Sequence, residues 1–317
     1  HRDLHSFPTR RSSDLGDFSK LTDPQGRAVT IYDPMDYTLN AAGDPLRVPF
    51  ANNRIPTSRI HPVAAAVTKY MPTPNATTAG VRYSTQNLLN PEYAAEDKFY
   101  NLILKFDWNF GDKHRSFIRH ASNDRTEDRC VNGICAGPGT DGQQPFQRIN
   151  DAYVLDWVST LTPTMVFNVR ASANRFIEKG FGRANEGFDL KSLGLPASLV
   201  NSLPEPRYFG RWEMAGYSSM GRYQSINITN TYALMTNLTK ISGSHTMKMG
   251  ADIRRTHYIT QNTGNILQFN TTAAFTQRIF NQGEPTAGDS YASFLLGHLS
   301  GGSSNYPLFP FVQQWYF

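Results

Sequence analysis

The chain has 317 residues, of which 31 are lysine or arginine and 26 are aspartate or glutamate, giving a formal net charge of +5. This excess is too mild to indicate a nucleic-acid-binding protein, and no run reaches the roughly 18 apolar residues that a transmembrane helix needs. With 39% hydrophobic and 12% aromatic residues and a mean hydropathy of −0.46, the composition predicts large solvated loops and strands that are apolar on one face only.

The first 15 residues, HRDLHSFPTRRSSDL, match neither a signal peptide nor a transit peptide. A signal peptide carries an apolar stretch of roughly 7–15 residues, which is missing here, and Asp3 and Asp14 argue against a transit peptide. The segment back-translates into a sequence that resembles a common short-read sequencing adapter. We therefore predict that residues 1–15 are a non-native, adapter-derived segment and that the remainder is an internal fragment of a longer protein.

Residues 16–97 show little regular apolar patterning. We predict one long connection with a short helix in HPVAAAVTKYM, because Pro62 suits the first turn of a helix. The alternative is a separate small domain. The small number of apolar residues and the prolines that interrupt the segment argue against it.

The clearest local pattern begins at Tyr100, where apolar and polar residues alternate over about eleven positions. Alternation of this kind predicts a strand over residues 98–110 with one apolar and one polar face, followed by a turn at GDKH. The return strand, 115–123, alternates poorly. The apolar positions are Tyr100, Leu102, Leu104, Phe106, Trp108 and Phe110, and the positions between them include Asn101, Ile103, Lys105, Asp107 and Asn109.

Two further hairpins repeat the pattern, in AYVLDWVSTLTPTMVFNVRASANRF and NTYALMTNLTKISGSHTMKMGADIRR, with turns at TPTM and SGSH. Long, irregular stretches rich in glycine, proline and asparagine lie between the hairpins, at roughly 124–150, 177–229 and 257–312. Loops beyond about 12–15 residues are uncommon in compact domains. Outer-membrane β-barrels, in contrast, combine short periplasmic turns with long extracellular loops.

These observations predict an all-β fold, namely a partial transmembrane β-barrel whose three hairpins supply six antiparallel strands, with long extracellular loops. A soluble β-sandwich also has alternating strands and is the alternative. The length of the strands, the strict alternation of short and long connections and the charges within strands favour the barrel. Trp108, Phe110 and Trp157, close to the turns, are candidates for the aromatic girdle at a membrane interface.

The two cysteines, Cys130 and Cys135 in CVNGIC, are half a metal site at best. We predict a small disulfide loop formed in an oxidising compartment, with free thiols as the alternative. A calcium site at Asp124, Glu127 and Asp128 is a weaker hypothesis than solvated loop charge. No catalytic motif is recognisable, and we expect neither an enzyme nor a bound metal or cofactor.

Six stretches of the sequence, in their order along the chain, together resemble TonB-dependent outer-membrane receptors. The resemblance is strongest to the Oar-like branch, which carries a carboxypeptidase-regulatory-like N-terminal domain. The resemblance covers about Gly16 to Phe317. It implies a barrel of about 22 strands around an N-terminal plug, which takes up a ligand with energy from an inner-membrane partner. The six stretches are GDFSKLTDPQGRAVTIYDP, PFANNRIPTSRIHPVAAAVTKYMPTPN, KFDWNFGDKHRSFIRHAS, GFDLKSLGLPASL, GSHTMKMGADIRR and GDSYASFLLG.

If the four-residue turns are periplasmic, the strand 98–110 descends from the outside, so residues 16–97 form a long extracellular loop and residues 98–317 form a partial receptor barrel. The resemblance favours a short helix in SYASFLLGHLSGG, ended by Gly301, over a strand that turns at SGGSSN. VQQWYF would then begin the next strand, which gives a partial barrel of about six antiparallel strands plus part of a seventh. The plug and the N-terminal segment that contacts the TonB system do not occur in this sequence.

The expected function is uptake of a ligand across the outer membrane of a bacterial cell, and the alternative is a secreted β-sandwich carbohydrate-binding module. The expected partners are outer-membrane lipid, the TonB energy-transducing system through the missing N-terminal part, and an unknown small ligand, but not nucleic acid. The candidate lumen-facing residues are Lys105, Asp107, Asn109, Asn168, Arg170, Asp252 and Arg254, and the candidate ligand contacts in extracellular loops are Trp212, Tyr217 and Phe269.

Overall fold

The computed structural model describes residues 4–5, 15–75, 88–89, 96–129, 134–135, 137–140, 143–180, 186–261, 265–306 and 308–317. No helix in these ranges is long and apolar enough to cross a membrane. In chain order the strands and α-helices are β1 Leu4–His5, β2 Tyr32–Leu39, β3 Pro45–Pro49, α1 Pro62–Thr68, β4 Leu88–Leu89, β5 Asp97–Phe110, β6 His114–Arg129, β7 Gln143–Thr162, β8 Met165–Gly180, α2 Ala197–Ser202, β9 Arg211–Met214, β10 Ser225–Ser242, β11 His245–Thr260, β12 Leu267–Thr271, α3 Ser290–Leu295, β13 Gly301–Ser304 and β14 Phe311–Tyr316.

The largest element of the fold is a seven-stranded antiparallel sheet in the order β14-β11-β10-β8-β7-β6-β5. Six of its strands have 14–20 residues, and β14 has six. The sheet is open, with β5 and β14 at its edges. The predicted all-β fold of six strands plus part of a seventh is therefore confirmed.

Short turns join the strands of each hairpin at one end of the sheet, at residues 111–113, 163–164 and 243–244. Gly111 and Gly243 occupy the left-handed region there, with φ of 62° and 59°, which a residue with a side chain adopts only at a cost. All the long connections leave the opposite end of the sheet. The predicted alternation of short and long connections therefore holds throughout the sheet.

The long connections pack into a second layer, which we call the cap and which comprises residues 15–75, 186–223 and 265–306. Although we expected irregular loops, the cap contains short strands, short helices and most of the buried apolar side chains of the chain. Buried side chains from all three segments pack into one hydrophobic cluster. The fully buried members include Ile31, Val67, Leu190, Phe209, Met220 and Leu295.

Ring contacts tie the first cap segment to the other two. The Tyr70 ring lies 5.4 Å from Phe188 and 5.2 Å from Phe209, and the Phe18 ring lies 6.2 Å from Tyr291. The peptide N–H of His61 donates to the Leu295 carbonyl at 2.8 Å. Residues 15–75 therefore share one hydrophobic core with the later connections.

Both predicted helices occur in the cap. Pro62 is the first residue of α1, and the His61 side chain accepts a hydrogen bond from the Val63 N–H at 3.3 Å. The helix α3 begins after Asp289, which caps it by accepting from the Ala292 N–H at 3.0 Å.

The predicted end of the second helix at Gly301 is wrong. The helix α3 stops at Leu295, and Gly297 follows in the left-handed conformation with a φ of 76°. Its N–H donates to the Phe294 carbonyl, and the next N–H, of His298, donates to the Ser293 carbonyl. These bonds close the last turn, so the helix needs no later stop signal.

An ion pair anchors the β2–β3 hairpin to the rest of the cap. Both carboxylate oxygens of Asp33 accept hydrogen bonds from Arg59 at 2.8 Å, and Oδ1 also accepts from the Met35 N–H at 2.9 Å. Burial alone would raise the pKa of Asp33. The hydrogen bonds and the Arg59 charge outweigh it and hold the pKa below its ordinary value of 3.8.

We expect this pair to stabilise the cap in a pH-dependent way. Because the pKa is lower in the fold than in the unfolded chain, the stabilisation is complete above pH 3.8 and is lost as the pH falls through the lower value. Limited proteolysis of the cap between pH 7 and pH 3 measures the loss. The variant Asp33→Asn should be less stable at pH 7 and should show a weaker pH dependence; an unchanged pH dependence would contradict the expectation.

Candidate functional site

All seven candidate lumen-facing residues lie on one face of the seven-stranded sheet, which we call the polar face. Residues directly opposite each other in an antiparallel pair project from the same face. One row of such partners joins Asp107 to Asp252 through Asp156 and Arg170. Parallel rows join Lys105 to Arg254 and Asn109 to Asn168. That this shared face lines a lumen stays a prediction.

Asp156 organises the centre of the polar face. It is only 4% exposed, and its carboxylate accepts hydrogen bonds from Arg170 Nε at 2.7 Å and from Asn168 Nδ2 at 3.1 Å. A buried carboxylate is tolerated when it is paired and hydrogen-bonded in this way. Two candidate residues are thus brought together by a third that the sequence analysis missed, although Asp156 occupies a polar position in the alternation of β7.

The other charged candidates pair within their own strands. Lys105 Nζ lies 2.6 Å from Asp107 Oδ1, and Arg254 Nη2 lies 2.6 Å from Asp252 Oδ2. Partners two residues apart on one strand project from the same face. Ion pairs exposed to solvent contribute little to stability, so the charges of both pairs stay accessible to a solute. Asn109 lies exposed at the turn end of β5.

A second group of charges on the polar face lies near the cap. Arg125 binds both oxygens of Asp97, at 2.9 and 2.6 Å, and lies 2.9 Å from Glu127. Arg148 lies 3.1 Å from Glu127 and 3.8 Å from Glu178. This network was not among the predicted site residues, because the poor alternation of β6 hides which face its residues occupy. The alternation of β5 was the signal that could have revealed it. The polar positions of this strand are odd-numbered, and continuing them towards the start of the strand leads to Asp97.

The hypothesis of a calcium site gains no support from the described residues. Glu127 faces two arginines, while Asp124 projects from the opposite face of β6. Within the described ranges no group of three or more His, Cys, Asp or Glu side chains could hold a metal ion.

The other side of the sheet, which we call the apolar face, is open. Phe106 is 66% exposed, Leu104 46% and Leu234 45%. In a soluble β-sandwich a second sheet would cover such a face, whereas a barrel turns it towards lipid. The exposure therefore argues for the barrel.

Aromatic side chains of the apolar face gather next to the short turns. The Trp157 ring stacks on His114 at 5.7 Å and lies 6.3 Å from Phe167, and the Trp108 ring lies 6.0 Å from Phe110. This is the position of an aromatic girdle in an outer-membrane barrel.

The three candidate ligand contacts lie in the cap, but Trp212 is not at its surface. Trp212 is 3% exposed, and its ring packs 4.6 Å from Phe269 and 5.8 Å from Phe294. The expectation of an exposed Trp212 ring is wrong because β9 pairs with β12 and turns Trp212 into the core. Phe269 and Tyr217 are half-buried, and ligand contact by these residues stays a prediction.

Tyr217 has a structural partner in the cap. Its hydroxyl donates to Asp289 Oδ2 at 2.9 Å. Burial raises the pKa of Asp289 above 3.8 and the pKa of Tyr217 well above 10.0. The tyrosine therefore keeps its proton at neutral pH and remains the donor.

The disulfide prediction involves one residue outside the described residues, Cys130. Cys135 is half-buried and disulfide-bonded. The pairing of Cys130 with Cys135 stays a prediction.

The assignment of residues 1–15 to an adapter also stays a prediction. Of these fifteen residues the structure describes only residues 4–5 and 15.

A family model described as an outer membrane beta barrel domain matches residues 2–317. No curated protein and no solved structure matches the chain. The match agrees with the long antiparallel strands, their two contrasting faces and the exposed apolar side chains. The chain belongs to the outer membrane beta barrel domain family and is a protein of the bacterial outer membrane.

Proposed function

We propose that this chain forms part of the wall and extracellular surface of a TonB-dependent, Oar-like transporter, which takes up a ligand across the outer membrane without covalent chemistry. The cap carries the proposal. Three long connections fold into one layer with a common hydrophobic core at the end of the sheet. A folded surface of this kind suits recognition of a ligand, because binding residues need a rigid support.

The polar face supports the same proposal. Its acids and bases form ion pairs within and between strands from the cap towards the turns, and a polar interior is typical of barrels that enclose an aqueous path or a plug. We propose outer-membrane lipid as the partner of the apolar face. The TonB system would act through an N-terminal part outside this sequence, and the ligand would enter on the cap side.

Energy-dependent uptake tests the proposal. A panel of carbohydrates, metal chelates and peptides is screened by thermal shift on the protein purified from outer membranes, and uptake of the compound that binds is then measured in cells. We expect uptake to disappear when the inner-membrane energy transducer is deleted, while binding to the purified protein remains. Uptake that persists without the transducer would indicate a passive pore and would contradict the proposal.

Sequencing of the complete gene is a second, independent test. We expect the upstream reading frame to encode a signal peptide and a plug domain. A secreted carbohydrate-binding module would have no plug.

A further inference from the structure

On the apolar face, tyrosine and arginine side chains lie at the same distance from the short turns on four of the strands. Tyr100 on β5, Arg175 on β8, Tyr232 on β10 and Arg255 on β11 each lie ten residues along the strand from the turn end of that strand. Ten residues with a rise of about 3.3 Å and a tilt of about 40° climb about 25 Å, the height of the apolar band in outer-membrane barrels. These four side chains therefore mark the outer boundary of the hydrocarbon layer.

A basic group lies at this boundary on neighbouring strands. The register places Arg175, Asn230, His257 and Gln313 in one row across β8, β10, β11 and β14. Arg255 lies two residues before His257 on the same face. We call Arg175, Arg255 and His257 the basic row.

Aromatic side chains border the basic row on the turn side. Tyr232 and Trp315 are the direct partners of Arg255 on either side, and the Arg255 guanidinium lies 5.1 Å from the centre of the Trp315 ring. Tyrosine and tryptophan prefer the headgroup level of a membrane, where one end of the ring is wet. Leu234 and Ile253 continue the face towards the turns.

The basic row has no acidic partner among the described residues. Arg175 stands opposite Asp151 in the register, yet Asp151 accepts a hydrogen bond from Ser122 at 2.7 Å and Arg175 donates to Asn230 at 3.1 Å. Within the described ranges Arg175 therefore forms no ion pair although Asp151 stands opposite it, and Arg255 has no acid among its direct cross-strand partners. Cations at the edge of a bilayer that form no ion pair mark functional positions.

The two arginines of the basic row bind only neutral amide groups. Arg175 donates to Asn230 at 3.1 Å and Arg255 Nη2 donates to Gln313 at 2.8 Å, while Arg255 Nε and His257 Nε2 are buried without a hydrogen-bond partner. A guanidinium carries five N–H donors, so two such groups side by side favour an anionic acceptor with several oxygens.

We infer that the basic row binds the phosphate of an anionic lipid in the outer leaflet of the outer membrane. Guanidinium groups match the geometry of phosphate oxygens with two parallel hydrogen bonds, and the acyl chains would lie over the apolar side chains of β10 and β11. The inference goes beyond the proposed uptake and requires only the outer-membrane location. Loss of lipid binding and loss of TonB-dependent uptake can therefore be observed separately.

Lipid titration followed by native mass spectrometry tests the inference on the protein purified from outer membranes. The probes are lipid A with two phosphates, the same lipid without phosphate, and inorganic phosphate. We expect the wild type to bind the phosphorylated lipid at least about tenfold more tightly than the dephosphorylated lipid, and the double variant Arg175→Gln/Arg255→Gln to lose this preference. The matched control Arg115→Gln/Arg119→Gln removes two exposed arginines of the polar face and should leave the preference intact.

Three outcomes would overturn the inference. The wild type could bind the two lipids equally, or the double variant could keep the preference for the phosphorylated lipid. Inorganic phosphate could also displace the lipid at similar concentration, which would indicate a site for free phosphate.

Wild-type protein alone provides a check that needs no variant. Raising the ionic strength from about 0.05 M to about 0.5 M should weaken binding of the phosphorylated lipid far more than binding of the dephosphorylated lipid.

Discussion

Replacing Val169 or Leu104 by arginine is expected to destabilise the membrane-embedded protein by about 2–4 kcal/mol. Both side chains project from the apolar face, where Leu104 is open to the surroundings. A guanidinium at these positions would have to leave water for hydrocarbon, and no acid lies next to either residue in its cross-strand row. Urea titration of the protein reconstituted in lipid vesicles measures the change in the free energy of unfolding.

Two variants of the polar face serve as controls. Ser172→Arg introduces the same side chain on the same strand but on the opposite face, and Lys105→Leu removes a charge from that face. We expect both to change the free energy of unfolding by well under the amount lost in Val169→Arg. Equal losses in Val169→Arg and Ser172→Arg would show that the apolar face does not contact lipid.

Phe209→Ala is expected to cost about 3–5 kcal/mol, the usual loss for an aromatic side chain in a packed core. Phe209 is 0% exposed, and its ring lies 5.2 Å from Tyr70 and 5.0 Å from Phe188. The cavity would open where the first and second cap segments meet. We therefore expect faster proteolysis of both segments, while the heat-modified gel mobility that reports an intact barrel stays unchanged.

Tyr306→Ala is the matched control for this prediction. Tyr306 lies in the third cap segment but is 66% exposed, so its removal should leave the rate of cap proteolysis nearly unchanged. If only the segment that carries Phe209 became sensitive, the cap would not be a single cooperative unit, contrary to our interpretation.

The sheet could be predicted from the sequence because its faces differ. On β5 every second residue from Tyr100 to Phe110 is apolar, and a similar alternation between two faces recurs on β7, β8, β10 and β11. The length of β6 could not be predicted in this way. Its apolar face carries Ser116, which lies between Trp108 and Trp157 in the cross-strand row, so large neighbours cover a small polar residue and the alternation fails. Its hydroxyl donates to the Asp156 carbonyl at 2.7 Å.

The candidate site could be predicted only in part. The alternation along the strands placed the seven candidate polar residues on one face of the sheet, and the observed cross-strand pairing agrees with this placement. The network around Glu127 and the burial of Trp212 depend on which segments meet in space. Trp212 is buried because β9 and β12, more than fifty residues apart in the chain, lie side by side. No local pattern carries that information, because short apolar stretches fit a surface loop as well as a core.

The shared core of the cap restricts how its outer surface can be altered. A barrel with independent loops would accept the exchange of one loop for another, and each graft could bring its own specificity. Here Tyr70, Phe188 and Phe209 belong to a single packed cluster, so a transplanted connection would leave the remaining segments with an unfilled gap. New specificity would therefore have to arise through exposed side chains on a preserved frame, or through replacement of all three connections together.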